Sequence, residues 1–284
     1  MKTIKSLLLV IVVAIVFTSC QKQPTADFTA SKITAGVDES ITFSNNSTDA
    51  DSYSWEFGDG LTSTDENATH SYTAIGTYSV KLIAYSKNEK KEDDKTSTIT
   101  IEGNETGTFT DSRDGKTYNT VKIGNQWWMS ENLAYKVDSA GCYCWAYDHN
   151  ENNVSTYGYL YDWWTAHVLA PPTGWHLPNN AEWTTLTDYL GGESVAGGKM
   201  KETGTIHWSS PNEGATNSSG FTGLASGYRG NSGSFYDLGY EGHWWAAATS
   251  SMYAWVHSLY YGDAVVYQDS SFIYNSFSVR CVKD

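Results

Sequence analysis

Aromatic residues divide this chain of 284 residues into two unequal parts near residue 105. Of its twelve tryptophans only Trp55 precedes that point, and sixteen of its twenty tyrosines follow it. Such a change predicts two domains with different cores, in agreement with the chain length. The polar, glycine-containing segment EGNETGT lies between them and contains the predicted linker, residues 103–107.

The first twenty residues, MKTIKSLLLVIVVAIVFTSC, combine two lysines, an apolar run from Leu7 to Phe17 and small residues before a cysteine. This order is typical of a secretory signal peptide, and the apolar run is short for a membrane span. The ending resembles a bacterial lipobox, which implies that residues 1–19 are removed, that Cys20 carries lipid and that residues 20–23 form a lipidated tether. The alternative is an ordinary signal peptide with a chance cysteine.

The chain carries 18 basic and 32 acidic residues, and loss of Lys2 and Lys5 with the signal peptide leaves 16 basic residues and a net charge of −16. So acidic a surface argues against nucleic-acid binding, and membrane attachment is expected through the lipid. Residues 21–23 lack both the aspartate of inner-membrane retention and the acidic run that resembles a Bacteroidetes surface-export signal. We expect an outer-membrane lipoprotein that faces either the periplasm or the cell surface.

Residues 24–102 contain short alternating runs, ADFTAS, SITFSNNS, SYSWEF, TYSVKLIAY and TSTITIE, separated by turn residues. This pattern predicts an antiparallel β-sandwich. In SYSWEFGDG, Tyr53, Trp55 and Phe57 share one strand face, and the segment 58–60 turns the chain. Asp59 has the alternative role of a calcium ligand, but turn formation accounts for it.

WEFGDG, then HSY, then GTYSVKLIA resemble the WDFGDG…H.Y…G.Y.V.L pattern of PKD domains over nearly all of 24–102. The resemblance implies an all-β Ig-like sandwich of the kind found as a spacer or binding module in surface proteins. We interpret this domain as a stalk.

Local patterns also predict elements in residues 108–284. TYNTVKI and QWWM form a hairpin around the turn Gly-Asn, and YGYLYDWWTAHVLA, residues 157–170, has the spacing of an amphipathic helix. In GWHLPNNAEW, Asn179 and Glu182 have capping-box spacing, so Glu182 is explained as a helix cap. His176 is then a hydrogen-bonding or packing residue rather than a catalytic one. AGGKMKETGTIHW, from Ala196, and PNEGATNSSGF are predicted as a loop region. The alternation in FSVRCVKD, with Phe277, Val279 and Cys281 on one face, predicts a terminal strand. The domain is expected to be a small α+β fold with irregular loops.

Six stretches, GNQWWMSENL, YGYLYDW, GWHLPNNAEW, SGYRGNSGSF, HWWAAATS and FSVRCVKD, together resemble the Fibrobacter succinogenes major paralogous domain over 108–284. This family occurs in bacterial surface and secreted lipoproteins. Its LP..AEW helix and its R-C-V strand are similar to the sulfatase-modifying-factor fold, a relative of C-type lectin-like domains. The resemblance implies an α+β, C-type-lectin-like fold: two helices on a curled antiparallel sheet, with the first and last strands close together.

Three cysteines remain once Cys20 carries lipid: Cys142, Cys144 and Cys281. Export to an oxidising compartment predicts that Cys142 or Cys144 pairs with Cys281, and the alternative is three buried thiols. A zinc site is not expected, because CYC lacks the two-residue spacer of zinc motifs. We expect neither a metal nor a cofactor.

Enzymatic activity is not expected. The formylglycine-generating relatives depend on two reactive cysteines near the C-terminus, and Cys281 has no such neighbour. HExxH, GxSxG and P-loop motifs are absent from the sequence. An enzyme related to the sulfatase-modifying factors is a minor alternative, and Asp237, Glu241 and Asp263 leave paired-carboxylate chemistry open.

Binding is the better hypothesis, because loops on a rigid scaffold carry binding sites and exposed aromatic rings stack on sugars or anchor proteins. If the fold is lectin-like, segment 207–274 forms the surface, and the candidate ligand residues are Trp208, Arg229, Tyr236, Trp244, Tyr260 and Asp263. The alternative for each aromatic residue is core packing. The calcium-dependent sugar motifs of animal lectins are absent, so glycan binding is expected without calcium. The alternative function is a structural envelope or fimbria-like component with no small ligand.

Overall fold

The computed structural model describes residues 22–139, 141 and 143–284. The signal peptide, Cys20 and Cys142 lie outside the described residues. The chain forms two compact units. The first comprises the described residues before Thr34 together with Ile41–His70 and Tyr78–Ile99, and the second comprises Thr34–Ser40, Ser71–Thr77 and Thr100–Asp284. Within the described ranges, no helix is long and apolar enough to cross a membrane.

Eight strands form two sheets in the N-terminal region, ordered β1-β3-β6 and β2-β8-β7-β4-β5. They are β1 Phe28–Ala30, β2 Thr34–Gly36, β3 Ile41–Asn45, β4 Ser52–Glu56, β5 Thr62–Ser63, β6 Ala68–His70, β7 Gly76–Tyr85 and β8 Glu92–Glu102. A short 3₁₀ turn, Lys87–Glu89, precedes β8. Strands β1, β3, β4, β7 and β8 coincide with the five predicted alternating runs, and the Ig-like sandwich is confirmed.

Trp55 is the centre of the core of the first unit. Its side chain is fully buried, and the rings of Phe28 and Phe43 lie 5.1 and 5.8 Å from it. Its indole N–H donates to the carbonyl of Asp65 at 2.9 Å, so the one polar group of this buried side chain has a hydrogen-bond partner. A single tryptophan therefore joins strands from both sheets.

The turn after β4 has the structure that its sequence predicts. Gly58 has φ +85°, and a Cβ atom there would lie 2.8 Å from the carbonyl oxygen of Ser79, so glycine is required. The Asp59 carboxylate accepts a hydrogen bond from the backbone N–H of Leu61 at 3.0 Å. The turn-forming role of Asp59 is confirmed.

In the second unit, strands account for more residues than helices. They are β9 Thr106–Thr110, β10 Thr117–Ile123, β11 Gln126–Met129, β12 Cys144–Trp145, β13 Leu160–Asp162, β14 Trp175–His176, β15 Ser226–Arg229, β16 Phe235–Leu238, β17 Glu241–Ser250, β18 Tyr253–Tyr260, β19 Val266–Phe272, β20 Ser276–Phe277 and β21 Val282–Lys283. The helices are α1 Val154–Tyr157, α2 Trp163–Val168, α3 Asn180–Tyr189 and α4 Glu193–Met200, with 3₁₀ turns at Tyr147–His149 and Glu151–Asn153. The unit is mostly β with few helices.

These strands form two sheets. One has the order β14-β21-β11-β10-β9, and the other has the order β12-β13-β20-β15-β17-β18-β19, with β16 paired to β15. The predicted hairpin is confirmed, since Ile123 on β10 pairs with Gln126 on β11. Strand β9 begins at Thr106, inside the segment predicted as linker. Strand β21 pairs with β11 and β14, in the same sheet as β9, with β11 and β10 between β21 and β9. The terminal strands β9 and β21 therefore share a sheet, but they are not adjacent in it.

Helix α3 follows its sequence signals closely. The Asn179 side chain accepts from the Glu182 backbone N–H, and the Glu182 carboxylate accepts from the Asn179 N–H, which completes the predicted capping box. Trp183 and Leu186 are buried on its inner face. Glu182 therefore serves the helix N-terminus, as predicted.

The single helix predicted over residues 157–170 is wrong. Helix α1 ends at Tyr157, strand β13 follows, and α2 begins after Asp162, whose side chain caps the helix by accepting from the Thr165 N–H at 2.9 Å. Gly158 separates these elements with φ +73°, a conformation outside the helical region. The loop predicted from Ala196 onward is also partly wrong, because α4 continues to Met200.

Two hydrophobic clusters fill the second unit, and the segment from β20 to β21 contributes to both. Phe277, Val279 and Cys281 lie in one cluster, and Val282 lies in the other. The alternation predicted for FSVRCVKD is therefore confirmed, with both faces of the segment buried.

Candidate functional site

Two of the six predicted ligand residues lie in the hydrophobic core, and the prediction is wrong for both. Trp208 and Trp244 expose 2% and 0% of their surface. The Trp208 indole N–H donates to the Gly223 carbonyl at 2.9 Å, and that of Trp244 donates to the Asn132 side-chain oxygen at 2.8 Å. Neither ring presents a face to solvent, so neither can stack on a ligand. Their burial contributes to the core instead.

The backbone carbonyls of Tyr260 and Asp263 both contact the ammonium group of Lys201. This fully buried lysine donates to three backbone carbonyls, those of Glu213, Tyr260 and Asp263, at 2.8, 2.9 and 2.6 Å. Burial lowers the pKa of Lys201 to about 8, which is still above neutral pH. Three acceptors match the three N–H donors of an ammonium, so the charge is internally satisfied.

The Asp263 carboxylate is occupied as well. One oxygen accepts from the Val265 backbone N–H at 2.9 Å, and the other accepts from the Tyr267 hydroxyl at 3.0 Å. The ring of Tyr260 meets that of Tyr267 edge-on at 4.8 Å. Both predicted residues therefore maintain the loop that surrounds Lys201.

Arg280 is a second buried cation, in the centre of the unit. Its guanidinium donates to the Asn132 side-chain oxygen at 2.8 Å and to the carbonyls of Met129, Phe221 and Thr222. It also lies 4.3 Å from the centroid of the Phe221 ring. Burial lowers the pKa of Arg280 to about 9, so it stays charged at neutral pH. Oxygen acceptors surround this charge without a carboxylate partner.

Arg229, at the end of β15, is only partly buried, and its surroundings differ from those of Lys201 and Arg280. Its guanidinium carbon lies 4.1 Å from the centroid of the Trp145 ring and 6.0 Å from that of Phe235. Its Nε atom is buried and has no hydrogen-bond partner, and no carboxylate lies within ion-pair distance of it among the described residues. Burial lowers its pKa. The guanidinium is thus held in place by rings while its N–H donors lack acceptors.

A row of polar side chains crosses three neighbouring strands at this point. Asp162 on β13 pairs with Ser276 on β20, and Ser276 in turn pairs with Arg229 on β15. Directly opposed residues of antiparallel strands project from the same face, so the three side chains line up across about 10 Å, two strand spacings. The Ser276 hydroxyl is buried and also has no partner. Two unsatisfied polar groups therefore stand side by side.

An open cleft of about 310 Å³ is lined by the two ends of this row, Asp162 and Arg229, while Ser276 is fully buried. Its described lining residues are Tyr143, Trp145, Asp162, Arg229, Asn231, Phe272 and Tyr274. The rings of Tyr143 and Trp145 stack at 5.6 Å with only 4° between their planes. Tyr143 and Tyr274 are 51% and 52% exposed. The cleft combines flat aromatic surfaces with a carboxylate, an amide and a guanidinium.

Of the predicted ligand residues, only Arg229 lines this cleft. Tyr236, on β16, is 42% exposed and stacks on Tyr228 at 5.3 Å, one strand away from the cleft. Tyr143 and Trp145 were not among the predicted ligand residues. The signal that could have identified them was their spacing, because residues two apart in an extended segment share a face.

The titratable groups of GWHLPNNAEW, the segment that leads into α3, are structural. His176 contacts a Glu182 oxygen at 2.8 Å and an Asp284 oxygen at 2.7 Å. Burial alone lowers the pKa of His176, but its hydrogen bonds to these two carboxylates outweigh burial and raise it. The predicted hydrogen-bonding role is confirmed.

The expected disulfide through Cys281 is not found. Cys281 and Cys144 are both free thiols, and Cys142 lies outside the described residues. Cys281 is fully buried in the core, and burial raises the pKa of its thiol. In the residues that the structure describes, no group of three His, Cys, Asp or Glu side chains is placed to hold a metal ion.

Two family profiles match the chain: the Fibrobacter succinogenes major domain over residues 121–283, and the PKD domain over residues 21–101. The first match covers more than half of the sequence. The chain belongs to the Fibrobacter succinogenes major domain family and carries an N-terminal PKD domain.

Comparison with individual proteins finds partial matches. The chain is 33% identical over 94 residues to collagenase ColA of Bacillus cereus, a match that covers 31% of this chain. The match spans only 10% of the length of the collagenase. It is 34% identical to the PKD1 domain of the Vibrio cholerae metalloprotease PrtV, covering 28% of this chain and 99% of that one with a TM-score of 0.25. A carbohydrate-binding module of the β-sandwich superfamily is 24% identical, covering 39% of this chain and 56% of that chain with a TM-score of 0.29. At such scores the structural matches assign no function.

Proposed function

We propose that this chain is a non-enzymatic cell-envelope lipoprotein whose PKD stalk presents a ligand-binding C-terminal unit at the cell surface. We assign that unit a C-type-lectin-like architecture, supported by the presence of β9 and β21 in one sheet and by the helices α3 and α4. Its ligand is a glycan bound without calcium. The single observation that carries this proposal is the aromatic cleft around Arg229.

The chemistry of the cleft favours a sugar over a protein anchor. A sugar offers hydroxyl groups that both donate and accept, together with an apolar ring face. Asp162 supplies an acceptor, Arg229 supplies donors, and the Asn231 amide supplies both. The exposed rings of Tyr143 and Tyr274 supply flat surfaces for stacking. A few convergent polar groups among aromatic side chains are typical of small-ligand sites.

The state of the thiols supports a role without catalysis. Nucleophilic cysteine chemistry uses the thiolate form in an accessible, electropositive environment. Cys281 is fully buried, and burial raises the pKa of both Cys281 and Cys144. These two thiols are therefore protonated and poorly suited to the oxidative chemistry of the sulfatase-modifying factors.

The test is binding of the purified mature protein to a glycan array, followed by affinity measurements on the best glycan with and without EDTA. We expect EDTA to have no effect. Tyr143→Ala and Tyr274→Ala should each weaken binding about tenfold, since a stacked ring at the centre of a site contributes on the order of 1–2 kcal/mol. Tyr240→Ala is the matched control, because Tyr240 is 50% exposed and does not line the cleft.

Equal losses in all three variants would place the ligand elsewhere. Binding to no glycan at all would favour the alternative of a structural envelope component. Binding to protein ligands but to no glycan would favour a protein-binding module.

The lipid anchor rests on the lipobox at Cys20, and display at the cell surface is a separate part of the proposal. Protease treatment of intact cells should release fragments of the C-terminal unit, and Cys20→Ser should abolish incorporation of labelled fatty acid. A protein protected in intact cells but cleaved after lysis would contradict surface display while leaving the lipid anchor intact.

A further inference from the structure

We infer that the glycan bound in the cleft is acidic, and that Arg229 holds its carboxylate: the site takes a sugar of the hexuronic acid class. This inference rests on the proposed function, because it specifies the ligand of the same site.

The first argument is the missing acceptor at Arg229. The two fully buried cations, Lys201 and Arg280, have their donors directed at oxygen atoms of the protein itself. Arg229 lines a cleft, and its guanidinium has no acceptor among the described residues. Its Nε is buried, whereas its two terminal nitrogens are not among the buried unpartnered atoms, so a ligand in the cleft meets those terminal nitrogens. Charge-assisted hydrogen bonds from them to a carboxylate are stronger than bonds between neutral groups.

The second argument is the orientation of the guanidinium. Its contact with the face of Trp145, at 4.1 Å from the centroid, fixes the position of the group before any ligand arrives. A guanidinium presents its N–H donors in one plane, in the fork that matches the two oxygens of a carboxylate. A preorganised fork binds a planar carboxylate better than it binds a single hydroxyl.

The third argument is the polarity of the row. Asp162 stands at one end and Arg229 at the other, about 10 Å apart, with the Ser276 hydroxyl between them. A sugar ring that bridges this row places its carboxylate at Arg229 and donates a hydroxyl to Asp162. The net charge of −16 on the mature chain disfavours polyanions, so a ligand with one carboxylate fits best.

The experiment compares three short oligosaccharides that differ at one terminal sugar: a hexuronic acid, its carboxyl-reduced neutral form and a sulfated form. The purified mature protein should bind the uronic form at least tenfold more tightly than the other two, the range expected of a hydrogen-bonded charge pair. Arg229→Gln should reduce uronate affinity at least tenfold and remove the discrimination. Lys122→Gln, an exposed cation on β10, is the control for net charge and should change neither.

Each other outcome counts against the inference in a distinguishable way. Equal binding of uronic and neutral forms, unaffected by Arg229→Gln, would overturn the acidic ligand and leave glycan binding intact. Equal or better binding of the sulfated form would overturn the carboxylate. Binding of none of the three would overturn the uronate ligand, and the proposed function would fall only if the glycan array also gave no binding. Unchanged thermal unfolding of Arg229→Gln excludes misfolding as the cause of a loss.

Discussion

Arg280 in the interior and Arg229 in the aromatic cleft are both held against aromatic rings, yet only Arg280 is surrounded by oxygen acceptors. Carbonyls of three residues and the Asn132 amide accept from Arg280, whereas the buried Nε of Arg229 has no partner. Burial of a charge is tolerated where the protein itself replaces water. The difference shows which cation is structural and which is available to a ligand.

His257 is a buried basic group without acceptors, and it can be compared with Arg280. It is buried against the Trp183 ring, at 4.5 Å and 12° between planes, and neither ring nitrogen has a partner. Burial lowers its pKa to about 3, so it is neutral at physiological pH. In the interior of this unit a basic group is charged where carbonyls surround it and neutral where they do not.

The largest expected effect tests the interior region. Arg280→Met should destabilise the protein by about 3–5 kcal/mol, because removal of one side of a buried charge network leaves the other side unsatisfied. The abandoned groups are the Asn132 oxygen and the Phe221, Met129 and Thr222 carbonyls. Chemical denaturation measures the change in the free energy of unfolding. A loss below about 1 kcal/mol would remove the distinction between the two arginines.

The next effect is acid sensitivity from His257. Its folded pKa is about 3 and its unfolded pKa is about 6.5, so between these values the unfolded chain binds more protons. Stability therefore falls as pH decreases through this window, with a slope that approaches about 1.4 kcal/mol per pH unit below pH 6.5, for a total of about 2 kcal/mol from pH 6.5 to pH 4.5. Unfolding of the wild type and of His257→Phe over this range isolates the contribution. Parallel curves for the two proteins would contradict a neutral buried histidine.

The smallest effect tests the cleft. Arg229→Met should change the free energy of unfolding by less than about 1 kcal/mol, since it removes only a ring contact and an unsatisfied donor. The same denaturation measurement applies, and the identical substitution at Arg280 is the matched control. A loss comparable to that of Arg280→Met would make Arg229 structural and weaken its assignment to a ligand.

Features set by local spacing could be predicted from the sequence. The capping box of Asn179 and Glu182 needs only a three-residue interval, and the β10–β11 hairpin needs only its turn. The alternation of Phe277, Val279 and Cys281 required one strand period. In each case the decisive interactions join residues close together in the chain.

The cleft could not be predicted in this way. Asp162, Ser276 and Arg229 meet only because strands far apart in sequence pair in one register. The choice between exposed and buried tryptophan depends on what covers each ring, and Trp208 and Trp244 are both buried. The apparent helix at 157–170 failed because Gly158 takes a left-handed conformation, and a Cβ there would lie 2.5 Å from the Leu133 carbonyl. Only tertiary structure shows these constraints.

The segment from β20 to β21 is synthesised after every other element of the second unit, yet it lies inside both hydrophobic clusters. It also supplies Arg280, and Ser276 in the middle of the polar row. During synthesis or vectorial export, neither core can close before this segment emerges. An incomplete unit therefore lacks the pairing of β20 with β13 and β15 that brings Asp162 and Arg229 to the same cleft.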